Sequence, residues 1–177
     1  KFSLLYAQAM NKNYIDSNSD SLTAVALEYY KDNGTDREKA LAYYYHGVIK
    51  YNAALHNEAI DFFIRAKIYA EKTDDHYTRG LIYHVIGENY NIQYDRRTAL
   101  EYHKLALNEY LQTGNKPNIF MGTKNVGMMY RMLGMYEEAI PYLLDAKKMA
   151  LELNETELYL NLSITLENIG YYKFNQT

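Results

Sequence analysis

Histidines and carboxylates are the residues of this sequence that could bind a metal ion or catalyse a hydrolysis. His76 follows Asp74 and Asp75, but this pattern at the start of a helix is more typical of an N-cap and of helix-dipole compensation. His46 and His103 lie at core positions of the helical pattern described below, which predicts that they are packed and hydrogen-bonded. The sequence has no His-Glu-x-x-His run, Gly-x-Ser-x-Gly elbow or phosphate loop. It therefore predicts no catalytic centre, no metal site, no cofactor and no enzyme.

Composition narrows the class of protein further. The 177 residues are 48% hydrophobic and 23% charged, which is typical of a globular domain. A net charge of -3 lacks the basic field on which nucleic-acid binding depends, so no nucleic-acid partner is predicted. No apolar run is long enough to span a bilayer, which predicts no membrane insertion by this segment. The absence of cysteine excludes disulfides and thiolate metal sites.

Helical signals run along the whole chain. Apolar residues at i, i+3 and i+4 predict a helix over residues 1–14, and Asn18-Ser19-Asp20-Ser21 provides N-cap residues for a second helix through Tyr30. Thr35 and Glu38 form a capping-box pattern that opens a helix ending near Asn52. Further helices are predicted over residues 58–72, from a Thr73–Asp75 cap to 93, from an Asp95 cap to 111, and from Pro117 onward through residue 127. Asn154 with Glu157 is the predicted cap of a last helix over 155–172.

Small residues recur at intervals of 40 along the chain. The series are Gly47, Gly87 and Gly127, then Ala59, Ala99 and Ala139, then Ala66, Ala106 and Ala146. Paired helices approach closely where both have small side chains. The spacing therefore predicts three helical hairpins that cannot bury their apolar faces alone and must stack.

The stretch from Lys124 to Ala146 resembles one tetratricopeptide (TPR) repeat, with a helix break at Gly134. The 40-residue period is longer than the usual TPR period and is similar to that of extended variants in bacterial regulators and kinesin light chains. The departures from the family pattern are Thr123, where an aromatic residue is expected, and His103, where a large apolar residue is expected. The resemblance implies an all-α, right-handed α-solenoid of antiparallel helix hairpins, a TPR-like superhelix.

The predicted organisation divides the chain into five segments. They are an N-terminal helical pair over 1–34, TPR-like hairpins over 35–73, 74–114 and 115–154, and the first helix of an incomplete fourth hairpin over 155–177. An uncovered apolar face near Gly170 to Phe174 predicts that the protein continues or that another subunit covers this end. The segment from Tyr6 to Leu22 resembles the opening block of bacterial multi-TPR proteins. That resemblance implies an exported protein, periplasmic or membrane-tethered and extracytoplasmic.

The first helix of each hairpin faces the concave side of such a superhelix, and its side chains are the predicted binding surface for a peptide or protein. These residues are Tyr44, Val48, Tyr51, His84, Glu88, Asn91, Lys124, Asn125, Met128, Arg131, Glu167 and Asn168. Lys124, Asn125 and Arg131 offer groups similar to those of TPR carboxylate clamps, although Val48, Glu88 and Met128 replace the asparagine expected one position after each glycine. His84 and Glu88 favour a basic or amide-rich partner.

The sequence is also consistent with two alternatives to partner binding. One is a sensory or regulatory input domain of a longer bacterial protein, in which a ligand changes the curvature of the solenoid. The other is self-association into a homo-oligomer through the open C-terminal hairpin and the tyrosine-rich edges.

Overall fold

The computed structural model describes residues 21–174, which form eight α-helices and no β-strand. In chain order the helices are α1 (Ser21–Asn33), α2 (Asp36–Asn52), α3 (His56–Ala70), α4 (His76–Ile92), α5 (Arg96–Thr113), α6 (Lys116–Met132), α7 (Tyr136–Glu152) and α8 (Thr156–Phe174). The helix predicted over residues 1–14 and most of the Tyr6–Leu22 block lie outside the described residues. Within the described range, no helix combines the length and apolar character needed to cross a membrane.

The helices stack in chain order. Each helix packs against the one before it and the one after it, and the most extensive contacts join α2 to α3, α4 to α5 and α6 to α7. The first helices of successive hairpins, α2 and α4, also touch. This nearest-neighbour pattern is that of a solenoid, and it confirms the predicted fold class.

Glycines on the first helices are notches that receive large side chains from the second helices, as the 40-residue spacing predicts. A Cβ atom added to any of these glycines would lie within 3.0 Å of a side chain on the paired helix, closer than real Cβ contacts. The six alanines of the spacing pattern are all buried. The notch pairs are Gly47 with Phe63 at 2.6 Å, Gly87 with His103 at 2.9 Å and Gly127 with Leu143 at 2.9 Å.

The predicted N-caps are confirmed in the middle of the chain. Thr35 and Glu38 form the complete capping box, in which each side chain accepts a hydrogen bond from the backbone N–H of the other residue. Asp75 and Asp95 cap α4 and α5 by accepting from the N–H groups of Thr78 and Thr98. These caps satisfy donors that the first helical turn leaves unpaired, so they fix where the helices begin.

The predicted cap at Asn154 is wrong. Asn154 has a φ of 60°, and its N–H donates to the carbonyl of Leu151 while the N–H of Glu155 donates to that of Ala150. This pair of bonds is a Schellman motif, which ends α7 and puts Asn154 after that helix rather than at the start of α8. Asparagine suits both roles because its short polar side chain tolerates the left-handed conformation.

A Schellman motif also joins the two helices of each hairpin. Its usual sequence signal is a glycine at the left-handed position, and only one of the three turns has one. The left-handed residues are Ala54 at φ 60°, Tyr94 at φ 64° and Gly134 at φ 75°. A non-glycine residue in this conformation costs about 1–2 kcal/mol. Stacking of the helices must therefore hold the first two turns in place.

Candidate functional site

A groove with a volume of about 400 Å³ runs between the first helices of successive hairpins, α4, α6 and α8. Its walls combine an ammonium group, a carboxylate, amides, a hydroxyl and apolar side chains. The residues that line this α4–α6–α8 groove include Glu88 and Asn91 on α4, Lys124, Asn125 and Met128 on α6, and Leu158, Asn161, Leu162 and Thr165 on α8. The mixture provides both hydrogen-bonding groups and apolar surface along one channel.

The structure brings together the central part of the predicted binding surface. Glu88, Asn91, Lys124, Asn125 and Met128 all line the groove. They do so because α4 and α6 lie side by side as the first helices of successive hairpins. The amide side chain of Asn125 links the two helices, as its Nδ2 atom lies 3.2 Å from His84 Nδ1 and 3.4 Å from Glu88 Oε1.

Tyr44, which the sequence analysis places on the binding surface, is a core residue. Its side chain is 4% exposed, and its ring centroid lies 6.3 Å from that of Phe63 and 4.9 Å from that of Tyr45. Burial raises the pKa of the Tyr44 hydroxyl. Val48 and Tyr51 pack against the same core cluster and are only partly buried.

The C-terminal part of the surface also differs from the prediction. Glu167 and Asn168 are exposed on α8 but do not line the groove, and Arg131 on α6 does not line it either. The residues of α8 that do line it were not predicted. One signal for them was present, because Thr165 stands 40 residues after Asn125.

A polar cluster, composed of His84, Glu88, His103 and Asn125, adjoins the groove at its α4 side, and two of its members, Glu88 and Asn125, line the groove. His103 reaches it from α5, with its Nε2 atom 3.5 Å from Glu88 Oε1 and its ring centroid 5.7 Å from that of His84. The His103 side chain is 1% exposed, whereas that of Glu88 is 33% exposed. The cluster is therefore closed below and open to the groove above.

Electrostatics in the polar cluster keep both imidazoles neutral at pH 7. Burial lowers the pKa of His84 to about 4, with a smaller contribution from the Lys124 ammonium. Burial also lowers the pKa of His103 to about 3, with His84 adding to the effect. The pKa of the Glu88 carboxyl is raised by burial, and the charge of Lys124 opposes that shift.

Two other histidines behave as the sequence predicts, and His103 does so only in part. His46 is buried and its Nδ1 atom lies 3.1 Å from Thr23 Oγ1. His76 begins α4 beside the Asp75 cap and pairs with Glu109 at 2.7 Å. His103 is buried as predicted, but its Nε2 atom makes no hydrogen bond. The prediction that it is a hydrogen-bonded core residue is wrong for that atom.

Comparison with solved structures shows the fold. A Podosopora anserina protein described as a kinesin light chain with nearly identical TPR-like repeats matches 98% of this chain and 86% of its own chain, with a TM-score of 0.75 and 13% identity. A substituted form of it matches equally well, over 85% of its own chain. The crystal structure of MamA matches 86% of this chain and 89% of its own chain, with a TM-score of 0.55 and 19% identity.

No protein-family model matches the chain, and no curated protein matches its sequence. At 13–19% identity the structural matches show the architecture alone. They confirm the TPR-like fold that the stretch from Lys124 to Ala146 predicts.

Proposed function

We propose that the chain is a non-catalytic scaffold that binds an extended peptide or protein segment in the α4–α6–α8 groove. The observation that carries this proposal is an unsatisfied acceptor in the groove wall, since Asn91 Oδ1 is buried and makes no hydrogen bond. Buried polar atoms in proteins nearly always have a partner. A backbone N–H from an extended segment would supply one here.

The remaining groove residues indicate the kind of segment that fits. Asn161 and Thr165 offer further amide and hydroxyl groups for backbone hydrogen bonds, and Met128 and Leu158 offer apolar contact. Lys124 forms no ion pair with the described residues. An amide-rich segment with a carboxylate opposite Lys124 would match these groups, by side-chain and backbone recognition in an extended groove.

The triple variant Asn91→Ala, Lys124→Glu, Asn161→Ala tests the groove without touching the buried core. A peptide is first selected from a random displayed library on the unmodified chain, and its affinity for each variant is then measured by fluorescence polarisation. Loss of two hydrogen bonds and reversal of one charge should weaken binding at least about 30-fold, which corresponds to roughly 2 kcal/mol. A matched control carries the same changes on the second helices, at the exposed residues Asn57→Ala, Asn108→Ala and Lys148→Glu.

The control variant should bind within about threefold of the unmodified chain, because exposed side chains outside a contact contribute little. Equal affinities of the groove variant and the control, with unchanged circular dichroism, would show that the groove is not the binding surface. Failure of the library to yield any peptide would count against the proposal too. X-ray scattering of the free and bound chain decides whether binding changes the curvature, as the regulatory alternative requires.

Self-association is a second candidate, favoured by apolar side chains on the outer side of α8. Leu160 and Ile164 are one turn apart and are 54% and 56% exposed. If this strip pairs two copies, light scattering over a dilution series should show a dimer that Leu160→Glu with Ile164→Glu converts to monomer. Leu105→Glu, at an exposed leucine on α5, should leave the dimer intact. A monomer at micromolar concentration of the unmodified chain would exclude this candidate.

A further inference from the structure

The polar cluster occupies positions that are apolar or solvent-facing in the neighbouring hairpins. His103 stands 40 residues after Phe63 and 40 before Leu143, both of which are fully buried. Glu88 likewise stands between Val48 and Met128 in the spacing pattern. Asn125 corresponds to Tyr45, Val85 and Thr165. The neighbouring hairpins thus have apolar side chains at the His103 and Glu88 positions, so packing alone does not require these two polar groups.

The buried His103 side chain lowers the stability of the fold. The His103 side chain is 1% exposed, yet its Nε2 atom makes no hydrogen bond. A buried polar atom without a partner costs about 1–3 kcal/mol. An apolar residue would avoid that cost, as Leu143 does in the next hairpin. The unsatisfied nitrogen points toward Glu88, which is the side from which a ligand could reach it.

The donor atoms are spaced for a metal ion. One nitrogen of His84, one nitrogen of His103 and one carboxylate oxygen of Glu88 all lie within 4.8 Å of one another. Ligand atoms about 2.0–2.2 Å from a tetrahedral ion lie roughly 3.4 Å apart. The pair formed by His103 Nε2 and Glu88 Oε1 has this separation, at 3.5 Å. Small side-chain rotations of His84 and Glu88, which are not fully enclosed, would bring the third donor into range.

The chemistry of these donors also suits a metal ion. An imidazole coordinates through a nitrogen lone pair, and His103 Nε2 makes no hydrogen bond that would compete with an ion. The Glu88 carboxylate opens to the α4–α6–α8 groove, which provides an entry path. The positive charge of Lys124 on the groove wall would repel a bound cation and lower the affinity of the site for it. The Asn125 amide nitrogen lies within hydrogen-bond distance of His84 Nδ1 and Glu88 Oε1, so Asn125 holds these two side chains next to each other.

We propose that His84, Glu88 and His103 bind a late first-row transition-metal dication such as Zn²⁺, with Asn125 as a positioning residue. Two imidazole nitrogens and one carboxylate oxygen favour Zn²⁺, Co²⁺ or Ni²⁺ over Mg²⁺ or Ca²⁺, which prefer oxygen ligands. Three protein ligands leave one position of a tetrahedral ion open, and it faces the groove. This inference does not depend on peptide binding, because the ligands differ from the residues changed in the groove variant.

Titration calorimetry of the EDTA-treated, desalted 177-residue chain with ZnCl₂ tests the site. One equivalent of Zn²⁺ should bind, and Co²⁺ should give the visible absorption of a tetrahedral site. His103→Leu should weaken binding at least about 100-fold, since losing a ligand exceeds the 10- to 100-fold cost of losing a supporting residue. Asn125→Val should weaken it about tenfold. Both variants are expected to fold, because leucine and valine occupy the corresponding positions in other hairpins.

The matched control is His76→Gln, which removes a histidine that also pairs with a carboxylate but lies outside the cluster. It should bind Zn²⁺ as the unmodified chain does. The groove variant with Asn91, Lys124 and Asn161 replaced should also still bind Zn²⁺, so the two proposals fail separately. Absence of a one-to-one Zn²⁺ complex would overturn the inference. So would a His103→Leu chain that binds Zn²⁺ with unchanged affinity.

Discussion

Replacing Phe63 with alanine is expected to lower the free energy of unfolding by about 3–5 kcal/mol. The ring is fully buried between α2 and α3, and it fills the notch that Gly47 leaves on α2. It also lies 6.3 Å from the Tyr44 ring, so its removal opens a cavity at the centre of the first core cluster. Urea unfolding followed by circular dichroism measures the loss.

The contact between Gly47 and Phe63 can also be tested by substituting the glycine. A Cβ atom on Gly47 would lie 2.6 Å from Phe63 Cε1, so Gly47→Ala should cost about 1–3 kcal/mol in the unmodified chain by overpacking. In the Phe63→Ala background the two ring atoms nearest to the added Cβ atom are absent, and the contact that remains is with Phe62 Cβ at 3.2 Å. There the same change should stabilise by roughly 1 kcal/mol, because alanine favours the helix over glycine.

If the effect of Gly47→Ala on the free energy of unfolding changes sign between the two backgrounds, Gly47 and Phe63 are in contact. Substitutions at two independent sites would have additive effects. Gly170→Ala is the control for helix propensity alone, since nothing lies within 4 Å of a Cβ atom there. A Gly47→Ala effect that is equal in both backgrounds would mean that Phe63 does not occupy the space above Gly47.

Acidification should destabilise the metal-free chain more than it destabilises the His103→Leu variant. The pKa of His103 in the folded chain is about 3, below the value of 6.5 in an unfolded chain. As the pH falls below 6.5 the unfolded state takes up a proton that the folded state does not, so folding stability is lost from there down to the folded pKa. At roughly 1.4 kcal/mol per pKa unit, His103 alone accounts for about 3 kcal/mol between pH 7 and pH 4.

The groups that face His103 affect the size of this loss. His84 on α4 has a lowered pKa and adds a loss of the same sign as the pH falls. Glu88 on α4 has a raised pKa, so the folded state gains its proton first and partly offsets the loss. Asn125 on α6 does not titrate. Comparing two variants cancels the contributions of carboxylates elsewhere in the chain.

Urea unfolding at pH 7 and pH 4 in EDTA gives the four free energies that are needed. The unmodified chain should lose about 3 kcal/mol more than His103→Leu does. Equal losses for the unmodified chain and His103→Leu would show that His103 is hydrated in the folded state.

The sequence by itself determined the helical architecture. The capping box at Thr35 and Glu38, the caps at Asp75 and Asp95 and the recurrence of Gly47, Gly87 and Gly127 are local or periodic signals, and each has the predicted role. Such signals can be predicted because a cap depends on three or four neighbouring residues and a notch depends on a spacing. The central groove residues Glu88, Asn91 and Lys124 were found from the same spacing.

The tertiary structure decided what the periodic signal could not distinguish. Asn154 suits either a helix start or a left-handed end, and only the chain path selects the second. Tyr44 and Lys124 occupy equivalent positions in the spacing, yet one is buried and the other lines the groove, because burial depends on which aromatic rings surround each position. The polar cluster is the clearest case, since Glu88 on α4 meets both His103 on α5 and Asn125 on α6 only after three helices have stacked.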